Sequence, residues 1–212
     1  MGGGGDRIKR SIDLAVASTA LVVLSPVMIA LASLVRVIHG SPVLFGQQRA
    51  GQNGRPFRIV KFRSMTAAVG PDNALLPDHE RLTAFGRFLR ASSLDELPEL
   101  WNVVRGEMSL VGPRPLPVSY LPRYTEREAR RHEVRPGITG LAQVNGRNRL
   151  SWDDRLELDV RYVETCSLAL DLRILVRTIG QVLARAGISA EGHVTMAELR
   201  PSAASPDEAR PR

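Results

Sequence analysis

From Leu14 to Val35 the chain carries no charged residue, and this run, LAVASTALVVLSPVMIALASLV, has Ser25-Pro26 at its centre. The run just reaches the roughly 20 apolar residues that cross the hydrocarbon core of a bilayer as one helix. Proline inside a helix removes a backbone donor and clashes with the preceding turn, so a break is predicted at Ser25-Pro26. Each half is then about 11 residues, or about 16 Å at the helical rise, roughly half the hydrocarbon depth. Arg7, Lys9 and Arg10 precede the run, and Arg36, Arg49 and Arg55 follow it. Positive charge on both flanks gives no direction across a membrane. A re-entrant hairpin of two half-helices, with both ends on the cytosolic side, accommodates both flanks. A straight spanning helix, a cleaved signal peptide ending near Ala30-Leu31-Ala32 and a buried core helix are competing readings of the same run.

The chain has 212 residues, suited to one domain, or to one domain plus a membrane element. Lys and Arg total 29 against 22 Asp and Glu, a formal net charge of +7. That balance favours anionic partners: phosphate-bearing substrates, nucleic acid or an anionic lipid surface. Aromatic residues make up only 5%, which speaks against a nucleic-acid binder, since single strands are held on stacking platforms. Cys166 is the only cysteine, so neither an intrachain disulfide nor a cysteine zinc site is available. His39, His79, His132 and His193 show no ligand spacing and read as surface or packing residues.

Beyond Gly40-Ser41-Pro42, short strands are expected at Val43–Phe45 and Phe57–Phe62, with Gly51 to Gly54 as the turn. Ala67–Asp78 reads as a loop. Arg81–Arg90 places Leu82, Phe85 and Leu89 on one helical face. Thr125 and Glu128 have capping-box spacing at the start of a charged, solvated helix, EREARRHE. Trp152–Tyr162 and Leu168–Ala186 are expected helices. The latter carries Leu172, Leu175, Val176, Ile179, Val182 and Leu183 near helical period, interrupted by Arg173, Arg177 and Arg185. It suits an anionic membrane surface, or core packing with a solvated arginine face.

Chemistry concentrates in FLRASSLDELPELWNVVRGEMSLVGPRPLPVSYL. Asp95 and Glu96 are adjacent carboxylates in an apolar setting. One reading is a helix cap, because Ser93 and Glu96 also have capping-box spacing. The other is a phosphoryl-transfer site, where one carboxylate attacks phosphorus and the other handles a metal or a proton. Attack of an anion on an anionic diphosphate needs cations to offset the repulsion. Arg90 lies five residues before Asp95, and Arg114 is stiffened between Pro113 and Pro115. Gly112 would allow a ligand close to the backbone. Arg135, Arg147 and the glycines Gly137, Gly140 and Gly146 form a further segment that suits phosphate.

Taken in order, KRSID, the Ser25-Pro26 break, GSPVLFGQQRAGQNGRPFRIVKFRSM, LRASSLDELPELWNVVRGEMSLVGPRP, VRPGITGLAQVNGRN and EGHVTM resemble the small monotopic phosphoglycosyl transferases, also called bacterial sugar transferases. The likeness runs from about Lys9 to Leu199. Glu107 stands where aspartate is common in the family, and Leu141 where tryptophan is common. The resemblance implies a compact α/β, mostly helical domain on a re-entrant helix-break-helix hairpin. Its expected divisions are a flexible leader at 1–8, the hairpin at 9–38, a catalytic domain with interfacial helices at 39–199 and a disordered tail at 200–212. It implies an Asp95–Glu96 dyad with Mg²⁺ at Asp95, and phosphate contacts from Arg90, Arg114 and Arg147. The implied reaction moves a sugar 1-phosphate from a UDP-sugar to polyprenyl (undecaprenyl) phosphate with release of UMP. Its implied location is the cytosolic leaflet of a bacterial inner membrane. A metal-dependent nucleotide-sugar hydrolase and a non-catalytic membrane scaffold are the competing functions.

Overall fold

The computed structural model describes residues 3–146, 150–184 and 199. Helix α1 (Gly3–Val23) and helix α2 (Ser25–Ile38) meet at a bend of 62°. The break falls where the proline demands it. Pro26 has no N–H to donate to the Val22 carbonyl, four residues back. The Ser25 hydroxyl donates to that carbonyl instead, at 2.7 Å. No single helix among the described residues is long and apolar enough to cross a membrane. Helix α1 begins at Gly3, so residues 3–8, expected as flexible leader, are helical. Asp6 sits in the first turn, where a negative charge complements the helix dipole, and lies 3.6 Å from Arg135.

One side of the bent pair packs on the domain. Ala17 joins the main core with Phe57, Ile59, Leu100, Val103, Met108 and Ile174. Leu31 and Val35 pack on Phe62 and Leu89 in a second cluster. Buried Asp13 accepts from Ser109 Oγ at 2.7 Å and from the Leu110 backbone N–H at 3.2 Å. Arg10 donates to the Val103 and Val104 carbonyls. Away from the domain, Val22, Val23, Ile29, Leu34 and Val37 are exposed.

Strands β1 (Leu44–Ala50) and β2 (Pro56–Phe62) form an antiparallel hairpin, closed by a turn over Gln52–Gly54. β1 continues well past Phe45, where the apolar signal ends, because backbone pairing with β2 persists to Ala50↔Pro56 across the polar Gln47, Gln48 and Arg49. Asn53 (φ 55°) and Gly54 (φ 70°) supply the left-handed turn.

Short helix α3 (Asp78–Arg81) leads to α4 (Ala84–Ser92), capped by Thr83, whose hydroxyl accepts from the Gly86 N–H. The expected helix thus starts three residues later than its apolar spacing indicated, at its cap. His39 bridges this cap to the end of α2, contacting the Arg63 carbonyl at 2.9 Å and Thr83 Oγ1 at 2.7 Å. Gly86 lies so close to the Ser64 carbonyl that a methyl group would overlap it. Gly86→Ala is therefore expected to destabilise the protein by about 1–3 kcal/mol or more through overpacking. Denaturant unfolding of the detergent-solubilised chain measures this, and unchanged stability would show that α4 is free to shift.

Helix α5 (Glu99–Arg105) leads to strand β3 (Ser109–Val111), which pairs in parallel with β4 (Gly137–Thr139). Between them lies α6 (Glu126–Ala129), whose capping box at Thr125 and Glu128 is complete. The expected solvated helix ends early, in a 3₁₀ turn over Arg130–His132 with Arg131 and His132 buried. Arg131 turns inward because Asp159 is there to pair with it, at 2.7 Å.

Helices α7 (Leu141–Val144), α8 (Trp152–Thr165) and α9 (Leu168–Ala184) complete the described chain. The apolar residues of α9 divide. Ile174 is buried in the core, while Leu168, Leu172, Val176 and Ile179 form an exposed stripe. Arg147, the EGHVTM segment and the expected tail at 200–212 lie outside the described residues.

Candidate active site

The segment joining α4 to α5 makes the site. Helix α4 is closed by Ser93, just beyond its last residue, whose left-handed backbone (φ 57°) returns its N–H to the Arg90 and Leu89 carbonyls. A 3₁₀ turn over Leu94–Glu96 follows. Leu94 and Leu97 pack on the cluster around Leu31 and Leu89, which fixes the turn between them. The capping reading of Ser93 and Glu96 is not realised. The Ser93 side chain makes no cap, and the Glu96 side chain leaves the backbone altogether.

Glu96 Oε1 receives two cations, Lys61 Nζ at 2.7 Å and Arg114 Nη2 at 2.6 Å. Lys61 also contacts Glu99 Oε1 at 2.8 Å. Lys61 thus bridges two carboxylates one helical turn apart. Asn102 holds this geometry by accepting from the Val60 N–H and donating to the Arg58 carbonyl and to Glu107. It ties α5, which carries Glu99, to β2, which carries Lys61. Arg114 is braced from behind, because Arg131 Nη2 donates to its carbonyl at 2.7 Å.

The two dyad carboxylates are held differently. Asp95 is buried, and no hydrogen bond or ion pair engages its carboxylate among the described residues. Burial, then the neighbouring charge of Glu96, pushes its pKa up to about 6, against Lys61, Arg114 and Arg90. Burial also opposes the charge on Glu96, but Arg114 and Lys61 outweigh it and hold that carboxyl well below its usual range. Glu99 is raised to about 7, first by burial, against Lys61 and Arg114. The Glu96 charge raises Arg114 above its ordinary value. One carboxylate is thus committed as an anion within a cation clamp, while its neighbour remains disengaged in a poorly solvated place.

Of the arginines the sequence singled out, Arg114 meets Glu96 directly. Arg90 donates to Ser64 Oγ at 2.9 Å and acts on Asp95 through its charge. At Gly137 and Gly140 the glycine segment, whose composition suggested a phosphate cradle, has a packing role. Side chains at Gly137 and Gly140 would collide with the Gly112 backbone, and one at Gly112 with the Arg135 carbonyl. These glycines let β3 and β4 approach closely, which sets the start of the Arg114 loop. Sequence reasoning passed over Lys61 and Glu99. A signal was present for Lys61: it shares the alternating face of Phe57 and Ile59, both buried.

Among the described residues, no cluster of three His, Cys, Asp or Glu side chains is arranged to hold a metal ion. Among the three carboxylates of the site, Asp95 is the one that no cation already occupies. That fits Mg²⁺, which binds through one or two carboxylates together with water and substrate phosphates.

Residues 5–185 match the family model described as bacterial sugar transferase. The chain is 52% identical over 188 residues to the uncharacterized sugar transferase EpsL of Bacillus subtilis, covering 89% of this chain and 93% of that protein. It is 41% identical over 181 residues to a UDP-glucose:undecaprenyl-phosphate glucose-1-phosphate transferase of Klebsiella pneumoniae, covering 81% of this chain and 39% of the relative. It is 39% identical over 197 residues to an undecaprenyl-phosphate galactose phosphotransferase of Salmonella typhimurium, covering 85% and 41% respectively. The chain therefore spans nearly all of the first relative and about two-fifths of the two longer ones.

Proposed function

The chain belongs to the bacterial sugar transferase family, the phosphoglycosyl transferases, and from that premise we propose that it transfers a sugar 1-phosphate from a UDP-sugar to polyprenyl phosphate, releasing UMP. The observation that carries this reading is the contrast within the dyad: Glu96 is clamped by Lys61 and Arg114, whereas Asp95 beside it is disengaged. An Asp95 carboxylate oxygen attacks the sugar-bearing phosphorus. The bond from that phosphorus to the bridging oxygen breaks, and its electron pair leaves with UMP. A polyprenyl phosphate oxygen then attacks the phosphorus of the adduct, returning Asp95 and giving the polyprenyl diphosphate sugar. Both steps bring anion to anion, so Arg114, Lys61 and Arg90 serve to offset charge. Asp95 is the residue that would hold Mg²⁺, whose charge, when bound, offsets that of the diphosphate.

The exposed apolar surfaces support a place at the membrane. The outer side of the α1–α2 pair and the α9 stripe are apolar, and α9 adds Arg173 and Arg177 for anionic headgroups. The acceptor's tail cannot leave the lipid, so docking brings the reactants together. In this reading the bent pair is a re-entrant hairpin in the cytosolic leaflet of the inner membrane.

The activity is tested by incubating the protein with individual UDP-sugars, polyprenyl phosphate and Mg²⁺, and measuring UMP. At least one sugar is expected to give UMP together with a lipid-linked product. UMP with free sugar phosphate, in the absence of lipid, would point to a hydrolase. No release with any donor would leave a membrane scaffold. The topology is tested on a Cys166→Ser background with single cysteines placed near Arg7 and Gly40. Both are expected to react with an impermeant thiol reagent only from the cytosolic side, whereas labelling from opposite sides would establish a spanning helix.

A further inference from the structure

Arg49 lies on the same face of the β-hairpin as Lys61. Directly opposed residues of an antiparallel pair share a face, and every second residue returns to it. The pairs Phe45↔Lys61, Gln47↔Ile59 and Arg49↔Phe57 therefore lie together. Ile59 and Phe57 are buried, so this face turns toward the domain, and Lys61 on it grips Glu96. At its far end β1 leaves β2 and meets the segment after Arg114. The Ala50 N–H donates to the Leu116 carbonyl at 2.9 Å, and Arg49 and Pro117 form an antiparallel bridge. One short connection thus joins Arg49 to the arginine of the dyad.

The Arg49 guanidinium is poorly satisfied. Its Nη2 donates to Gln47 Oε1 at 2.7 Å, at the solvent-facing end. Its Nε is shut away from water with no partner, and no carboxylate lies within ion-pair distance among the described residues. Arg114, by contrast, has Glu96. Burial, and then the charge of Arg114, works against the charged form of Arg49, and the more remote charge of Glu99 offsets this only in part. A partly buried cation beside another cation, with no carboxylate in direct contact, is a costly arrangement for a fold unless an anion arrives to share it.

We propose that Arg49 binds the nucleotide-side phosphate of the donor, the group that departs as the nucleoside monophosphate. This rests on the donor reading given above. As the bond between Asp95 and the sugar-bearing phosphorus forms, the bridging oxygen keeps the electron pair of the broken bond. Negative charge grows on the departing phosphate, and a guanidinium there stabilises it without any proton transfer. Gln47 holds the guanidinium plane. The sugar-bearing phosphate stays with Asp95 and the Arg90 side of the site.

The test is equilibrium binding of UMP, of uridine and of farnesyl phosphate to the full chain in detergent with Mg²⁺. Wild-type protein, Arg49→Gln and Arg49→Lys are compared, each checked for folding by its thermal transition. Arg49→Gln is expected to weaken UMP binding by about 10- to 100-fold, the weight of a charge-assisted hydrogen bond, and to leave uridine unaffected. Arg49→Lys keeps the charge but loses the planar fork, so it should fall between the two. If Arg49→Gln fails to fold, Arg49→Lys carries the test alone, and wild-type affinity for UMP in that variant would overturn the assignment. Unchanged UMP binding in Arg49→Gln would do the same. Unchanged UMP binding with weakened binding of farnesyl phosphate would move Arg49 to the lipid acceptor and overturn the donor-side assignment. Wild-type protein that binds no UMP would bring down the nucleotide reading, and this assignment with it.

Discussion

Asp95→Asn is expected to abolish turnover, lowering UMP release by at least about a thousandfold, or ~4 kcal/mol of transition-state stabilisation. An amide is a poor nucleophile and a poor magnesium ligand. The nearest carboxylates are also occupied, Glu96 by Lys61 and Arg114 and Glu99 by Lys61, so none stands free to take over. Incubation with a productive UDP-sugar and Mg²⁺, without lipid, should load wild-type protein with the mass of a phosphosugar. Peptide mapping should place that mass on the segment containing Asp95, and polyprenyl phosphate should discharge it as lipid product forms. Glu96→Gln should impair turnover severely yet still permit a slow adduct, because the attacking oxygen remains. UMP formation that strictly requires lipid, with no adduct under rapid quenching, would favour direct attack by the lipid phosphate. Normal turnover in Asp95→Asn would remove the nucleophile assignment altogether.

The largest expected effect on stability lies behind the site, at Arg131. Its guanidinium is buried against the equally buried Asp159, with Nε at 3.1 Å and Nη2 at 2.7 Å from Oδ2. Arg131→Met keeps much of the packing but strands the Asp159 charge in the interior. Breaking one side of a buried pair costs about 3–5 kcal/mol. Burial already raises the pKa of Asp159, against the pull of Arg131, and loss of Arg131 must raise it further. A carboxyl whose folded pKa lies above its unfolded value favours the folded state when protonated, and that contribution is lost as pH rises through the folded value. The deficit of Arg131→Met should therefore be smallest in acid and grow toward neutral pH in denaturant titrations. Arg131→Met with Asp159→Leu should recover much of the stability, since an apolar pair can replace a buried ion pair. UMP release should nevertheless stay low, because the Arg114 carbonyl has lost its donor. A single variant as stable as wild type would show that Asp159 is relieved by another route.

Where an element depends on neighbours in the chain, the residues alone were sufficient. Pro26 lacks a backbone donor wherever it stands, so the break after Val23 could be located without knowing the fold. The Thr125 cap and the turn between Gly51 and Gly54 are equally local, each decided within about four residues. The family motifs likewise pointed to Glu96 and Arg114, which the fold brings into contact.

Partnership across long stretches of chain was settled only by folding. Lys61 reaches Glu96 across 35 positions, Arg131 reaches Asp159 across 28, and Asp13 reaches Ser109 across 96. In the sequence Lys61 is one basic residue among several, and EREARRHE is a solvated helix. Glu96 has the spacing of a cap, and the tertiary fold alone brings Lys61 and Arg114 close enough to draw its side chain away. The same approach of distant segments gave Gly137 and Gly140, read as part of a phosphate cradle, a close contact with the Gly112 backbone. Backbone chemistry acts over a few bonds and can be read from neighbours. Desolvation and charge pairing depend on which remote groups arrive within about 3–4 Å, and that distance is set by the whole chain.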